Sequence, residues 1–160
     1  MRHLSLVMSF LLSISLFVAG CAPKKPEGMP DTYPVTITVK VEGVPLEGAE
    51  LGAYPLEKDN TKWFGSGLST DAKGQVKMKS SQLNGLIAGE FTITIKKNII
   101  TSTDTGDLYE CFVDTSYWRP VTSPLKITVE PKDKNEFEFD VKKFDPKTFN
   151  EANWAMRIKK

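Results

Sequence analysis

The stretch 35-VTITVKVEGVPLEGAELGAY-54 alternates apolar and polar residues with a period of two. Such alternation is typical of β-strands that bury one face. The turn-forming residues EGVPLEG separate two such runs. The residues predicted to face the core are Val35, Ile37, Val39 and Val41 in the first run and Ala49, Leu51 and Ala53 in the second. This stretch therefore predicts a sheet rather than a helix.

The same alternation continues downstream. Residues 64–79 predict two strands around the turn 71-DAKG-74, with Val76 and Met78 inward. Residues 85–97 place Phe91, Ile93 and Ile95 on one face. Residues 125–141 predict a hairpin that turns at residues 131–135 and buries Phe137, Phe139 and Val141, whereas residues 98–124 show no regular pattern.

About seven short strands with one apolar face each are best accommodated by two packed sheets. The sequence thus predicts an all-β fold, an antiparallel Greek-key β-sandwich over residues 35–143, with Phe91 and Phe137 buried. In the tail, residues 144–160, Asp145 and Pro146 are suited to the start of a helix. The tail is therefore expected to be either a short helix on the sandwich or a frayed end.

The chain begins with Arg2 and His3, followed by the largely apolar run 4–18 and the small residues Ala19 and Gly20. A charged start, a short apolar core and small residues are typical of a signal peptide. We expect residues 1–20 to be removed.

The next residue is Cys21, and 18-VAGC-21 resembles the lipobox of bacterial lipoproteins. The resemblance implies that the thiol of Cys21 carries a lipid, which anchors the chain to the membrane. Residues 21–34 contain Pro23, Pro26, Pro30 and Pro34, a composition that favours an extended tether of roughly 40 Å. Ala22 resembles an outer-membrane sorting signal, so we expect a cell-envelope location, at the outer membrane or facing the periplasm rather than at the inner membrane.

Charge and composition exclude several functions. Removal of residues 1–20 takes away Arg2 and no acid, which leaves a chain with no net formal charge. Basic residues never occur in runs longer than two, so a nucleic-acid partner is not expected. The only histidine is His3, and Cys111 is the one thiol besides Cys21. The mature chain therefore lacks the residues of Ser-His-Asp, Cys-His and most zinc sites, and we expect no enzyme, metal or cofactor.

Two groups of residues keep other functions open. Asp104, Asp107 and Glu110 lie close together in the sequence, and paired carboxylates can hydrolyse glycosides or bind Ca²⁺, although their spacing is not that of a calcium loop and a solvated acidic loop is the expectation. Aromatic residues at 63-WF-64 and 117-YWR-119 suggest contacts to a glycan or an envelope protein. The residues concerned are Trp63, Phe64, Tyr117, Trp118 and Arg119, which can also cap the ends of the sandwich.

Three segments resemble carboxypeptidase regulatory-like domains, which have a transthyretin-like β-sandwich. They are 43-GVPLEGA-49, 67-GLSTDAKG-74 and 89-GEFTITI-95. The resemblance implies a stabilising or binding module and no chemistry, because a fold by itself does not imply a function. The function expected from the sequence is therefore a lipid-anchored, non-enzymatic binding or structural module. A carboxylate-dependent hydrolase and a carbohydrate-binding module are the alternatives.

Overall fold

The structure is a computed structural model that describes residues 23–103 and 106–148. The expected signal peptide, Cys21, Asp104 and the end of the tail from residue 149 lie outside the described residues.

The prediction of an all-β fold is confirmed. The described residues form fourteen strands joined by turns and short 3-10 helices. The strands are β1 (Thr32–Tyr33), β2 (Val35–Val41), β3 (Val44–Pro45), β4 (Glu50–Pro55), β5 (Gly65–Gly67), β6 (Gln75–Lys77), β7 (Lys79–Ser80), β8 (Leu83–Asn84), β9 (Leu86–Ile87), β10 (Gly89–Lys96), β11 (Asn98–Thr103), β12 (Gly106–Cys111), β13 (Lys126–Val129) and β14 (Asn135–Val141). The described 3-10 helices span Lys58–Trp63, Thr115–Trp118 and Pro146–Thr148.

Two sheets enclose one core. The six-stranded sheet has the order β13-β10-β4-β5-β7-β8, and the four-stranded sheet has the order β14-β2-β3 with β6 also beside β2. Ile37 and Val39 from the smaller sheet and Ala53 and Ile93 from the larger one are completely buried. The alternation read from residues 35–54 therefore marks the inner faces of the sandwich, where each fully buried isoleucine or valine contributes about 1.5–3 kcal/mol.

The turn between β2 and β3 is set by two residues with positive φ, Glu42 at +54° and Gly43 at +78°. They lie between the paired residues Val41 and Val44. This is the arrangement of a type I′ turn, whose twist matches that of the strands it connects. The N–H of Gly43 also donates to Oδ2 of Asp140 at 2.9 Å, which ties this turn to the last strand.

The first long strand and the last one lie side by side and parallel. β14 pairs with β2 in register along its whole length, from Asn135 beside Val35 to Val141 beside Val41. The other strand pairs of the described residues are antiparallel. The pairing joins the two ends of the domain, and local sequence patterns do not specify a contact over such a long separation.

The predicted hairpin over residues 125–141 is wrong. β13 pairs with β10 in the larger sheet, whereas β14 pairs with β2 in the smaller one. The chain therefore crosses from one sheet to the other between Val129 and Asn135. Both arrangements require one apolar face on each strand, so alternation alone does not distinguish them.

The segment around 71-DAKG-74 keeps its predicted strands and turn, but β5 and β6 belong to different sheets. The N–H of Gly74 donates to the carbonyl of Asp71 at 2.8 Å, and the φ of Gly74 is +72°. A Cβ atom at this position would lie 2.3 Å from the carbonyl oxygen of Val39. Glycine is required here both for its conformation and for this close approach.

The prediction that residues 98–124 are irregular is wrong for the first half of the segment. β11 and β12 pair antiparallel from Asn98 beside Cys111 to Thr103 beside Gly106. The rest of the segment contains the 3-10 helix Thr115–Trp118 and loops.

Part of the proline-rich segment 21–34 packs on the domain. Met29 is buried, and β1 pairs with β9. Nζ of Lys25 lies 2.6 Å from Oδ1 of Asp31, and its hydrogen bond and its charge lower the pKa of the Asp31 carboxyl. At the other end, Asp145 accepts a hydrogen bond from the N–H of Lys147 at 2.9 Å and begins the turn Pro146–Thr148.

Candidate binding surface

The aromatic residues singled out from the sequence differ widely in exposure. Trp63 and Tyr117 are 8% and 7% exposed, whereas Phe64 is 55% exposed. Trp118 and Arg119 are half-buried. The five residues therefore do not form one exposed site.

Trp63 belongs to the core. It ends the 3-10 helix Lys58–Trp63, and the Nζ atom of Lys62 lies 4.8 Å from the centre of its ring. Its carbonyl oxygen accepts a hydrogen bond from Oγ of the buried Ser80 at 3.2 Å. Trp63 thus fixes the segment that precedes β5 and offers little surface to a ligand.

Tyr117 is also a packing residue. Its hydroxyl oxygen accepts a hydrogen bond from the N–H of Lys142, just after β14, at 3.3 Å. The 3-10 helix that carries it is capped by Asp114, which accepts from the N–H of Ser116 at 2.8 Å. Ser123 follows this helix and donates to the carbonyl of Ile93 in β10 at 2.5 Å. The segment around Tyr117 therefore holds the two sheets together at one side.

Phe64 stacks on a residue that the sequence analysis did not select. The rings of Tyr54 and Phe64 have centroids 6.4 Å apart and an angle of 15° between their planes. Tyr54 is 38% exposed. We call this exposed pair, Tyr54 and Phe64, the aromatic platform. The alternation around Ala53 placed Tyr54 on the outer face of the strand, and this was the sequence signal that could have identified Tyr54 as an exposed aromatic residue.

The register of the sheet creates the platform. Ala53 in β4 lies beside Gly65 in β5, so the residues next to them, Tyr54 and Phe64, lie opposite each other on the outer face. A Cβ atom on Gly52 would lie 2.8 Å from Cε2 of Tyr54 and 2.7 Å from Oγ1 of Thr94. The absence of a side chain at Gly52 therefore leaves room for the tyrosine ring to lie across the sheet.

The acidic residues of the alternative hydrolase or Ca²⁺ site have no described side chains, so this alternative stays an expectation from the sequence. Asp104 lies outside the described residues, and Asp107 and Glu110 are described only as backbone positions in β12. In the parts of the chain with described side chains, no group of three or more His, Cys, Asp or Glu is placed to hold a metal. The pKa of the Glu130 carboxyl is lowered by its hydrogen bond and charge interaction with Lys132.

The one thiol within the described residues, Cys111, is half-buried at the end of β12. Burial raises the pKa of this thiol, because removal from water disfavours the charged thiolate. A nucleophilic cysteine needs a lowered pKa, so the surroundings of Cys111 are those of a packing residue. None of the helices within residues 23–103 and 106–148 is long and apolar enough to cross a membrane.

No known family model matches the chain, and no curated protein matches it. Several solved structures share a general likeness. Two structures of the major pilin subunit of Bacillus cereus cover 71% and 72% of this chain at 14% and 15% identity, with TM-scores of 0.44 and 0.45. This chain spans 30% and 31% of the length of those pilin chains.

Two further solved structures are similar at the same distant level. A 9R-lipoxygenase from Cyanothece matches 78% of this chain and 20% of its own length, at 14% identity and a TM-score of 0.42. A proposed carbohydrate-binding protein from Pseudomonas aeruginosa matches 75% of this chain and 98% of its own length, at 10% identity and a TM-score of 0.38.

Proposed function

We propose that the protein is a lipid-anchored, non-enzymatic binding module of the cell envelope that presents the aromatic platform to a glycan. The observation that carries this proposal is the exposed, stacked pair of Tyr54 and Phe64 on the outer face of the larger sheet.

Exposure of two aromatic side chains to water reduces the stability of the fold, and a binding function accounts for why both are exposed. A phenylalanine or tyrosine in a core stabilises the fold because it removes a large apolar area from water. An exposed ring does not contribute this stabilisation. The platform also keeps its geometry through the close approach at Gly52. A preorganised aromatic face loses little conformational entropy when a ligand stacks on it.

The platform favours a glycan over an envelope protein. The exposed apolar side chains on and beside this face are Tyr54, Leu56, Phe64 and Leu68, with Ser66 between the last two. A stable protein interface usually buries about 800 Å² on each partner, which four side chains do not supply. One or two sugar rings match two aromatic rings much better.

The anchor is proposed from the sequence 18-VAGC-21. Lipid on Cys21 would hold the domain at the membrane, because each buried CH₂ contributes roughly 0.8 kcal/mol and two or more acyl chains give stable binding. Pro23, Lys24 and Lys25 are exposed and connect Cys21 with the domain. Ala22 supports an outer-membrane or periplasm-facing location.

We propose that the protein is not an enzyme, because the chain has few side chains that are suited to proton transfer. Proton transfer near neutral pH is usually carried by histidine, and the only histidine is His3 in the expected signal peptide. Within the described residues, the two carboxyl groups with shifted pKa values, Asp31 and Glu130, are shifted downwards by Lys25 and Lys132. A general acid needs a shift in the opposite direction.

Affinity electrophoresis of the full chain in a mild detergent tests the binding function. The gel would contain one polysaccharide at a time, neutral glucan and galactan as well as polygalacturonate. We expect at least one polymer to retard the protein and the Phe64→Ser variant to lose this retardation. Val121→Ser is the matched control, since Val121 is 86% exposed and belongs to neither β4 nor the segment before β5, which carry the platform. Mobility that no polymer changes, or retardation that Phe64→Ser retains, would overturn the proposal.

A further inference from the structure

A groove of about 500 Å³ lies along β5, where Ser66 lines it two residues after Phe64 of the aromatic platform. One wall contains Ser66 and Leu68, which belong to or follow β5. The other wall contains Lys77, Lys79, Ser81 and Gln82, on the chain that passes from β6 to the β7–β8 hairpin. The groove thus lies where the chain crosses from one sheet to the other.

The groove and the platform adjoin each other along β5, which lies between β4 and β7. Gly65 pairs with Ser80, and Ser66 pairs with Lys79. Phe64 comes directly before Gly65, and Ser81 comes directly after Ser80, so both residues lie at the same end of this strand pair. The one hydroxyl hydrogen of Ser80 is shared between the carbonyls of Trp63 and Phe64, which lie 3.2 Å and 3.1 Å from its Oγ. A chain-like ligand that stacks on the platform can therefore continue into the groove.

The groove carries positive charge without a balancing acid. Met78 is buried between Lys77 and Lys79, so the two lysines project outwards. None of the described residues that line the groove is Asp or Glu. Neither lysine takes part in an ion pair within the described part of the chain.

The acids on the outer face of the smaller sheet are engaged elsewhere. Glu136 and Glu138 lie two strands away from β6, across β2. Glu136 is 2.9 Å from Nζ of Lys134, and Glu138 is 2.7 Å from Nζ of Lys40. The positive charge of Lys77 and Lys79 therefore remains available to an anionic ligand.

The turn at the end of the groove is strained. Ser81 and Gln82 have φ angles of +47° and +70°, although neither is glycine. They connect the paired residues Ser80 and Leu83 as a type I′ turn, which usually contains Asn-Gly. Left-handed conformations cost non-glycine residues stability and are often retained where the side chains are used. Here they place a hydroxyl and an amide beside the groove.

We propose that the ligand of this surface is an acidic polysaccharide, whose rings stack on Tyr54 and Phe64 and whose acidic groups pair with Lys77 and Lys79. This inference rests on the proposed function and specifies its ligand class. Serine hydroxyls and the Gln82 amide in the groove match the hydroxyl groups of a sugar chain. An acidic polypeptide would satisfy the lysines but would leave the flat aromatic faces without sugar rings to stack on.

Titration calorimetry of the full chain in detergent tests the inference with three polymers. They are polygalacturonate, the same polymer after chemical reduction of its carboxyl groups, and poly-L-glutamate. We expect polygalacturonate to bind the most tightly and its affinity to fall with added salt. Lys77→Gln/Lys79→Gln should weaken it about tenfold, which corresponds to about 1.4 kcal/mol and lies within the range of two exposed ion pairs. Lys142→Gln/Lys147→Gln removes the same charge elsewhere on the surface and should leave the affinity within about twofold.

The outcomes separate this inference from the function on which it rests. Equal binding of the carboxyl-reduced polymer, still lost with Phe64→Ser, would overturn the acidic ligand and leave the glycan-binding function standing. Poly-L-glutamate that binds as tightly as polygalacturonate would identify an acidic polypeptide as the partner and overturn the inference. No binding of any glycan would overturn both. Circular dichroism and melting curves of each variant ensure that a loss of binding does not reflect unfolding.

Discussion

Asn135 and Glu130 are joined by two hydrogen bonds across the loop between β13 and β14. The N–H of Glu130 donates to Oδ1 of Asn135 at 3.0 Å, and Nδ2 of Asn135 donates to the carbonyl of Glu130 at 3.1 Å. Asn135 is buried, and its backbone N–H donates to the carbonyl of Pro34 at 3.1 Å. One asparagine therefore closes the crossing between the two sheets and attaches it to the start of β2.

Replacement of this asparagine should destabilise the domain. Asn135→Ala removes the hydrogen-bond partner of the N–H and of the carbonyl of Glu130, and each such bond contributes about 0.5–1.5 kcal/mol net. Because Glu130 is exposed and water replaces part of these bonds, we expect a loss of about 1–2 kcal/mol in the free energy of unfolding, measured by urea denaturation. Asn84→Ala, at an exposed position of β8, is the control and should change it by less than about 0.5 kcal/mol. Equal effects of the two substitutions would show that the loop does not depend on Asn135.

Substitution by alanine should destabilise the domain more at Phe91 than at Phe137, although both were predicted to be buried. Phe91 is completely buried in β10, whereas Phe137 is only partly buried in β14. Phe91→Ala should cost about 3–5 kcal/mol, as other core substitutions do. Phe137→Ala should cost about half of this, because part of its surface already contacts water. Thermal melting of both variants checks this order, and a larger effect at Phe137 would contradict the burial seen here.

Cys21 should carry the lipid anchor. In intact-mass spectra of the membrane fraction, we expect wild-type protein that lacks residues 1–20 and carries the mass of a diacylglycerol. Cys21→Ala should lose this added mass, because the thiolate is the nucleophile that accepts the lipid. Cys111→Ala is the control and should be lipidated normally. Wild-type protein with an unmodified Cys21 would refute the anchor.

Cys111 should react slowly with alkylating reagents. Burial raises the pKa of its thiol, so at any pH near neutrality a smaller fraction is thiolate than in an unfolded chain. The rate of iodoacetamide labelling at Cys111, followed by peptide mass mapping, should therefore lie below that of the same protein in urea. The difference should narrow as the pH rises towards the raised pKa. Labelling in the folded protein at the unfolded rate would contradict this expectation.

The protein should not turn over glycoside, ester or peptide substrates. The remaining enzymatic alternative uses the acids Asp104, Asp107 and Glu110, which can hydrolyse glycosides only as a correctly spaced pair. A substrate panel with the wild type and with Asp104→Asn/Asp107→Asn decides the matter. Activity in the wild type that the double variant loses would establish a carboxylate hydrolase and refute the binding module.

The amino-acid sequence by itself was sufficient for the long strands β2, β4 and β10 and for their inner faces. Val35, Ile37, Val39 and Val41 alternate along β2 and are all buried. The turn at Gly74 was also predictable, because glycine tolerates its positive φ. These features depend on residues near in sequence, and their periodicity is a direct consequence of strand geometry.

Only the tertiary structure decided which strands are partners and which aromatic residues form a surface. The alternation in β13 and β14 is the same whether they pair with each other or, as observed, with β10 and β2. Likewise, Tyr54 and Phe64 are ten residues apart in the sequence and meet because β4 and β5 pair in one register. A periodic pattern shows which face of a strand is apolar, but the partner and the register follow from packing between distant segments, which has no local signature.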